Sequence, residues 1–345
     1  MQRRINRLII GLFLLLLACG CQPGTEDQTL HLSGLTMGTT WSATFLPAPG
    51  GTDVVAVKQQ LQQRLQQINS LMSTYDPQSE LSRFNNQTGT DWFPLSAETA
   101  EVVALSLEIS RLTDGAFDVS VGPLVELWGF GAEKRGATLP TAAQISDRLA
   151  TVGYRNIQLR QEPPAVKKRL PRLRIDLSAI AKGYAVDALA AILQQQGIKN
   201  YLLEIGGELQ ISGRRHDGKA WQIAIEKPLE GVREVSTVFP LTNTALATSG
   251  NYRNFYLENG QRYAHTIDPT SGKPIRHKLA SATVLDQTCA RADALATALM
   301  VMGEVKGRAF CEKNRIAAYF LLHDQESIEV YASPEFQKFV AEVKP

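Results

Sequence analysis

Between Arg174 and Asp187 the chain reads as an apolar strand that runs into a helix through a turn holding an acid, Asp176, and a base, Lys182. A helix start gathers unpaired backbone N–H groups and the positive end of the dipole. Lys182 in the first turn and Asp176 at the strand end can therefore face a phosphate and its metal ion. Taken alone, Asp176 reads equally well as a helix cap and Lys182 as a solvated residue. Asp293 and Thr297 lie four residues apart on a predicted helix, which stacks their oxygens on one face and suits a hard cation such as magnesium. The competing reading is a solvated Asp and a Thr bonded to its own turn. His265, one of five histidines, ends a predicted strand just before Asp268-Pro269. It titrates near neutrality and is the candidate general base, against a structural role in the turn. Asp268 itself suits an Asx turn. Gly206-Gly207 and Ser249-Gly250 supply backbone that a ligand can approach closely, and both also suit hairpin turns.

These residues need elements to hold them. Val57, Leu61, Leu65, Ile68 and Met72 recur at helical spacing, predicting an amphipathic helix that ends near Tyr75. Further helices are predicted over Ala97 to Leu112, Ala142 to Leu149 and Ile180 to Gln195, the last closed by Gly197. Period-two segments follow: Tyr201 to Ile205 and Glu208 to Ser212 around the Gly206-Gly207 turn, then Trp221 to Glu226, Ser236 to Leu241, Arg262 to Ile267 and Ser281 to Leu285. A helix from Ala290 to Met302, strands near Ile316 to Leu322 and Ser327 to Tyr331, and a helix near Pro334 complete the chain. Runs of neighbouring strands with few βαβ alternations predict an α+β fold of mixed or antiparallel sheets with packed helices.

A chain of 345 residues with 44% hydrophobic and 20% charged residues can bury a sizeable core, and a net charge of +2 gives no footprint for nucleic acid. The basic run Lys167-Lys168-Arg169 with Arg172 and Arg174 is expected to be a solvated loop. Residues 1–21 carry a positive start at Arg3 and Arg4, a short apolar run and a small-residue cleavage point, the pattern of an export signal. Leu16-Leu17-Ala18-Cys19 resembles a bacterial lipobox, which makes Cys19 the expected lipid anchor; Cys21 fits less well, and an ordinary cleaved signal is the alternative. Residues 22–30 read as a flexible tether and 31–345 as the folded part. Cys289 and Cys311 remain there, able to pair in an oxidising compartment or to stay as buried thiols, without the spacing of a zinc site.

Five further segments occur in a telling order: Gly115-Ala116-Phe117-Asp118 with Val121-Gly122-Pro123, Glu204-Ile205-Gly206-Gly207-Glu208, Ala247-Thr248-Ser249-Gly250, His265-Thr266-Ile267-Asp268-Pro269 with Ser271-Gly272, and the helix Ala292 to Ala298. Together with the Asp176 to Tyr184 segment they resemble the ApbE-type FAD:protein FMN transferases over roughly residues 35 to 303. The resemblance implies a fold related to the T-fold, with the flavin site between two lobes. It implies Mg²⁺-dependent transfer of FMN from FAD to a threonine hydroxyl, with AMP released. The matching family positions make Met37, Tyr75, Ala116, Phe117, Asp118, Asp176, Lys182 and Ile267 the FAD site, and Asp293, Thr297 and the Ala179 carbonyl the Mg²⁺ ligands. Tyr75 and Phe117 could stack on flat rings or serve as core. The implied acceptors are extracytoplasmic domains of electron-transfer subunits of Nqr- or Rnf-type complexes. The enzyme would be lipid-anchored in the bacterial envelope facing the periplasm, with the inner membrane favoured over the outer. Glu162 to Arg172 departs from the family pattern as a variable insertion. An FAD diphosphatase, with water as acceptor, and a flavin-storing lipoprotein without turnover are the rival readings.

Overall fold

Eight strands meet in chain order to form one antiparallel sheet, each pairing with the next: β1 Leu30–Thr36, β2 Thr39–Phe45, β3 Tyr201–Ile205, β4 Glu208–Ser212, β5 Thr244–Gly250, β6 Leu279–Asp286, β7 Ala317–Asp324 and β8 Ser327–Ala332. The computed structural model describes residues 29–343 apart from 133–135, 137, 230, 232–233, 253 and 325–326. The expected signal segment, Cys19 and most of the expected tether lie outside the described residues; Leu30, expected to end the tether, is already in β1 and pairs with Phe45 of β2. Two-residue turns with positive φ at both positions close two of the hairpins, Met37-Gly38 and Gly206-Gly207. That geometry matches the twist of the strands, and glycine adopts it without strain.

Long insertions into this meander carry the helices. Six lie between β2 and β3: α1 Val54–Met72, α2 Glu80–Asn86, α3 Ala97–Leu112, α4 Gly122–Leu127, α5 Ala142–Leu149 and α6 Ala181–Gln195. One, α7 Cys289–Asn314, lies between β6 and β7, and α8 Pro334–Glu342 follows β8. All five residues of the predicted α1 stripe are buried. Ser96 and Thr141 cap α3 and α5 with their side chains, so the predicted bounds of both helices hold. Helix α7 breaks at Gly303 (φ 71°, ψ −176°), where the expected helix ends, and resumes to Asn314.

Period-two alternation splits the sheet between two cores. Trp41, Ala43, Phe45, Leu203, Ala282, Val284 and Phe320 pack under α1, α6 and α7. Leu209, Ile211, Leu246, Leu285, Tyr319 and Leu321 face the other way, against Phe336 of α8 and a two-stranded ribbon, Trp221–Glu226 with Val235–Leu241. A third cluster joins Leu124, Trp128 and Ile145 to Tyr263 and Ile267. The α+β class is as expected.

Several local expectations are corrected. The basic run is not a solvated loop: Pro164–Lys168 is the middle strand of a small three-stranded sheet, and Lys168 is fully buried. Its ammonium donates to the Leu173 carbonyl at 3.2 Å, and burial lowers its pKa. Leu173, Ile175 and Leu177 alternate inward as a strand would, yet they pair with no strand. The Asn85 side chain supplies both hydrogen bonds to Ile175 instead, accepting from its N–H at 2.7 Å and donating to its carbonyl at 2.8 Å. Ser249-Gly250 is no turn; it ends β5, paired with Ala282 and Ser281. Arg262 to Ile267 divides into the hairpin strand Gln261–Ala264 and the short strand Ile267–Asp268.

Candidate functional site

The starts of α6 and α7 meet, and each receives an acid from the other. Helix α7 has no cap from its own Thr288; the Asp187 carboxylate of α6 accepts instead from the Cys289 and Ala290 N–H groups, at 2.8 and 2.9 Å. In return, Oδ2 of Asp293 accepts from the Gly183 N–H in the first turn of α6 at 3.1 Å. Asp176 is therefore not the α6 cap; its Oδ1 accepts from the Ser178 N–H at 2.8 Å, closing an Asx turn. The approach is close enough that a Cβ on Gly183 would lie 2.4 Å from the Cys289 carbonyl oxygen.

A cavity of about 700 Å³ opens against this junction, a size suited to a nucleotide ligand. Tyr75, Ala116, Phe117, Asp118, Asp176, Ala179, Lys182, His265, Ile267, Asp293 and Thr297 all line it. The structure thus brings together every site residue expected from the sequence except Met37, which is not in the lining. Met37 sits in the β1–β2 turn, half-buried against the main core. Tyr75 is 65% exposed at the mouth, its hydroxyl 3.5 Å from the Phe130 carbonyl, so it is available to a ring; Phe117 is a buried core residue. Asp118 accepts from Ser120 N–H, Ser120 O–H and Tyr154 N–H at 2.8, 2.6 and 2.9 Å, which fixes the local turn. Burial outweighs these bonds and raises its pKa.

Lys182 is held between two acids, with Nζ 3.0 Å from Glu208 Oε1 and 3.7 Å from Asp293 Oδ2. Burial pulls the ammonium down, but Asp293 and Glu208 more than offset it and the net shift is upward, so Lys182 stays charged. Burial pushes the Glu208 pKa up, with Lys182 pulling against that shift and Asp293 adding to it. Its second oxygen, Oε2, is buried without a hydrogen-bond partner among the described residues. Sequence reasoning missed Glu208 as a site residue. A signal was present, because the two-residue hairpin sets it opposite Ile205, a core position.

Asp293 and Thr297 lie on the cavity face of α7, with the Thr297 hydroxyl 3.1 Å from that of Ser249. Among the described residues no group of three His, Cys, Asp or Glu could hold a metal. Asp293 supplies a carboxylate and Thr297 a hydroxyl, and Ala179 lines the same cavity. This hard set fits a cation that draws its remaining ligands from water and phosphate.

His265 is half-buried, with Nδ1 3.1 Å from the Asn254 carbonyl and its ring edge-on to Phe130. A carbonyl only accepts, so Nδ1 carries the proton and Nε2 keeps a free lone pair. Burial lowers the His265 pKa and the Lys182 charge lowers it further, against the pull of Asn254. The imidazole is therefore neutral at pH 7. Asp268 accepts from the Thr270 N–H at 2.9 Å, as the Asx reading expected.

The family model described as the ApbE family matches residues 37–320. A curated protein of Vibrio cholerae, named FAD:protein FMN transferase, is 44% identical over 96% of this chain and 98% of its own length. The protein of that name from Escherichia coli K12 is 36% identical over 99% and 98%. Among solved structures, the flavin transferase ApbE from Vibrio cholerae superposes with a TM-score of 0.84 at 43% identity, covering 90% of this chain and 99% of that one. The apo flavinyl transferase ApbE of Pseudomonas stutzeri also gives 0.84, at 36% identity over 91% and 97%.

Proposed function

The chain belongs to the ApbE family and is an FAD:protein FMN transferase, and from that premise we propose that it moves FMN from FAD onto a threonine hydroxyl of a protein outside the cytoplasm. The threonine oxygen attacks the phosphorus of the FMN half while the bond from that phosphorus to the bridging oxygen of AMP breaks. AMP leaves, and the threonine proton passes to Nε2 of His265. The observation that carries this reading is His265, a neutral base with Nε2 free, in the same cavity as Lys182, Asp293 and Thr297.

Each residue has a part that its position supports. Lys182, charged and next to the α6 start, offers a donor to the phosphate oxygens. Tyr75 at the mouth can cover the isoalloxazine ring. Asp293, Thr297 and the Ala179 carbonyl would hold Mg²⁺, which would supply positive charge to neutralise the phosphates. Acceptor domains of Nqr- or Rnf-type complexes suit an enzyme that is exported and anchored through Cys19 on the periplasmic side of the envelope.

The test mixes the protein, FAD, Mg²⁺ and an extracytoplasmic, threonine-bearing domain of an Nqr-type subunit, and weighs that domain by intact mass spectrometry. The expected result is the gain of one FMN with one AMP released, absent without Mg²⁺ and absent for His265→Ala. FMN and AMP accumulating free, with the domain unmodified, would show hydrolysis in place of transfer.

A further inference from the structure

The ribbon beside the cavity has two unlike edges. Its outer strand, Val235–Leu241, carries Pro240 and packs Phe239 edge-on to Tyr319 and Phe336. Its inner strand, Trp221–Glu226, has no second partner among the described residues, because this sheet has two strands only. Five consecutive residues of that strand, Gln222 to Glu226, line the cavity that holds His265. Side chains alternate along a strand, so five in a row on one wall means that the strand presents its backbone edge to the cavity.

The register shows which backbone groups are free. Gln222 pairs with Pro240 and Ala224 with Val238. Pro240 has no N–H to give, which marks the Gln222 pair as a non-hydrogen-bonded one. Alternation along an antiparallel ladder then turns the N–H and C=O groups of Gln222 and Ala224 away from the outer strand, toward the cavity. Both residues are exposed, whereas Trp221, Ile223 and Ile225 are buried in the core beneath. Proteins commonly guard an open edge with proline, lysine or a bulge. Here the proline stands on the outer strand and a register shift falls only at the far end, between Ile225 and Glu226, while Gln222-Ile223-Ala224-Ile225 carries neither proline nor charge.

We propose that this inner edge is the docking site of the acceptor protein, whose threonine-bearing segment adds to Trp221–Glu226 as an extended third strand. The inference rests on the transferase reading. An enzyme that modifies a protein must lead an extended stretch of chain past its base, and a strand edge does so through main-chain bonds whatever the neighbouring side chains are. The edge and His265 line the same cavity, so a segment laid along that edge enters the reacting cavity. Seating five residues takes roughly 17 Å of extended chain.

The test is Ala224→Pro in the full-length protein, which removes one free N–H and sets a ring on the edge without taking a bond from the outer strand. With the acceptor domain used above, the acceptor KM is expected to rise at least tenfold while the Kd for FAD, read by flavin fluorescence, stays unchanged. Because the ribbon itself could be disturbed, a second arm leaves the enzyme intact. Synthetic peptides spanning the acceptor threonine compete with the domain, and backbone N-methylation should weaken them at every second position. An unchanged acceptor KM in the proline variant, a shifted FAD Kd, or N-methylation without period-two dependence would overturn the docking site. A wild-type protein that releases FMN and AMP yet leaves the domain unmodified would remove the transferase reading itself, an outcome distinct from these.

Discussion

Gly183→Ala should be harmful in a place where simple helix propensity says it should help. Inside a helix this change ordinarily gains about 0.5–1 kcal/mol. A methyl at Gly183, however, would sit 2.4 Å from the Cys289 oxygen, 2.6 Å from the Cys289 carbonyl carbon and 2.8 Å from Ala290 Cα. All three are backbone atoms in the first turn of α7, so no side-chain rotation relieves the overlap. Relief requires the two helix starts to separate by roughly 1 Å, and overpacking of this kind costs about 1–3 kcal/mol. The net loss is then about 0–2.5 kcal/mol, centred near 1, a fall of roughly 2 °C in Tm at about 1.5 °C per kcal/mol for a domain of this size.

The larger effect should be on chemistry. The same separation moves Asp293 off the Gly183 N–H and carries Thr297 with it. A displacement of about 1 Å in positioning groups can cost on the order of 100-fold in rate. Thermal unfolding and single-turnover AMP release, the latter measured well below both melting temperatures, separate the two losses. A variant at least as stable as wild type, releasing AMP at the wild-type rate, would refute the claim that this helix contact sets the site.

Asp187→Ala strips α7 of the side-chain cap that Asp187 supplies and should lower stability by about 1–2 kcal/mol, seen as a lower urea midpoint at unchanged slope. The pH profile of kcat/KM for transfer should fall on the acid side as His265 gains its proton; because burial and Lys182 lower that pKa, the fall should be centred below the ordinary histidine value of about 6.5. A midpoint above that value would remove His265 as the base. Burial pushes Cys311 up to about 12 and Cys289 well above its ordinary value, and the two are unpaired. In a chain starting at Gln22, a thiol reagent should therefore label neither cysteine in the native state and both after unfolding.

What was legible in the sequence depended on how locally each feature is determined. The α1 stripe and the caps of α3 and α5 lie within a few residues of the helices they specify, and so they could be read directly. Strand β5, Thr244–Gly250, is built of small residues and owes its conformation to partners on both sides, which its own composition does not announce. The stretch Leu173 to Leu177 has the right alternation for a strand, but its partner is a side chain some ninety positions earlier, Asn85. Lys168 looked solvated because it stands in a basic run; the alternation of Pro164–Lys168, with Val166 and Lys168 both buried, was the better guide. At the site, motif order selected residues that do share one cavity, while Met37 stands in the β1–β2 turn against the main core and is not in that lining.

The site sits where two insertions into one meander touch, and the exchange of acids between them explains why it must be built this way. Asp187 and Asp293 are distant in sequence, on helices that enter the sheet at different places. Each closes the other helix's start, so neither start is correctly formed without its partner. Asp293 consequently has two duties: its Oδ2 is engaged by the Gly183 N–H and faces Lys182, and a cation at this carboxylate would share it with a helix start. That arrangement would tie the position of a metal bound at Asp293 to the position of the first turn of α6, which also carries Lys182, the residue proposed to meet the phosphates. A metal held at Asp293, Lys182 and the start of α6 would thus be set by one contact between backbones, the contact for which Gly183 leaves room.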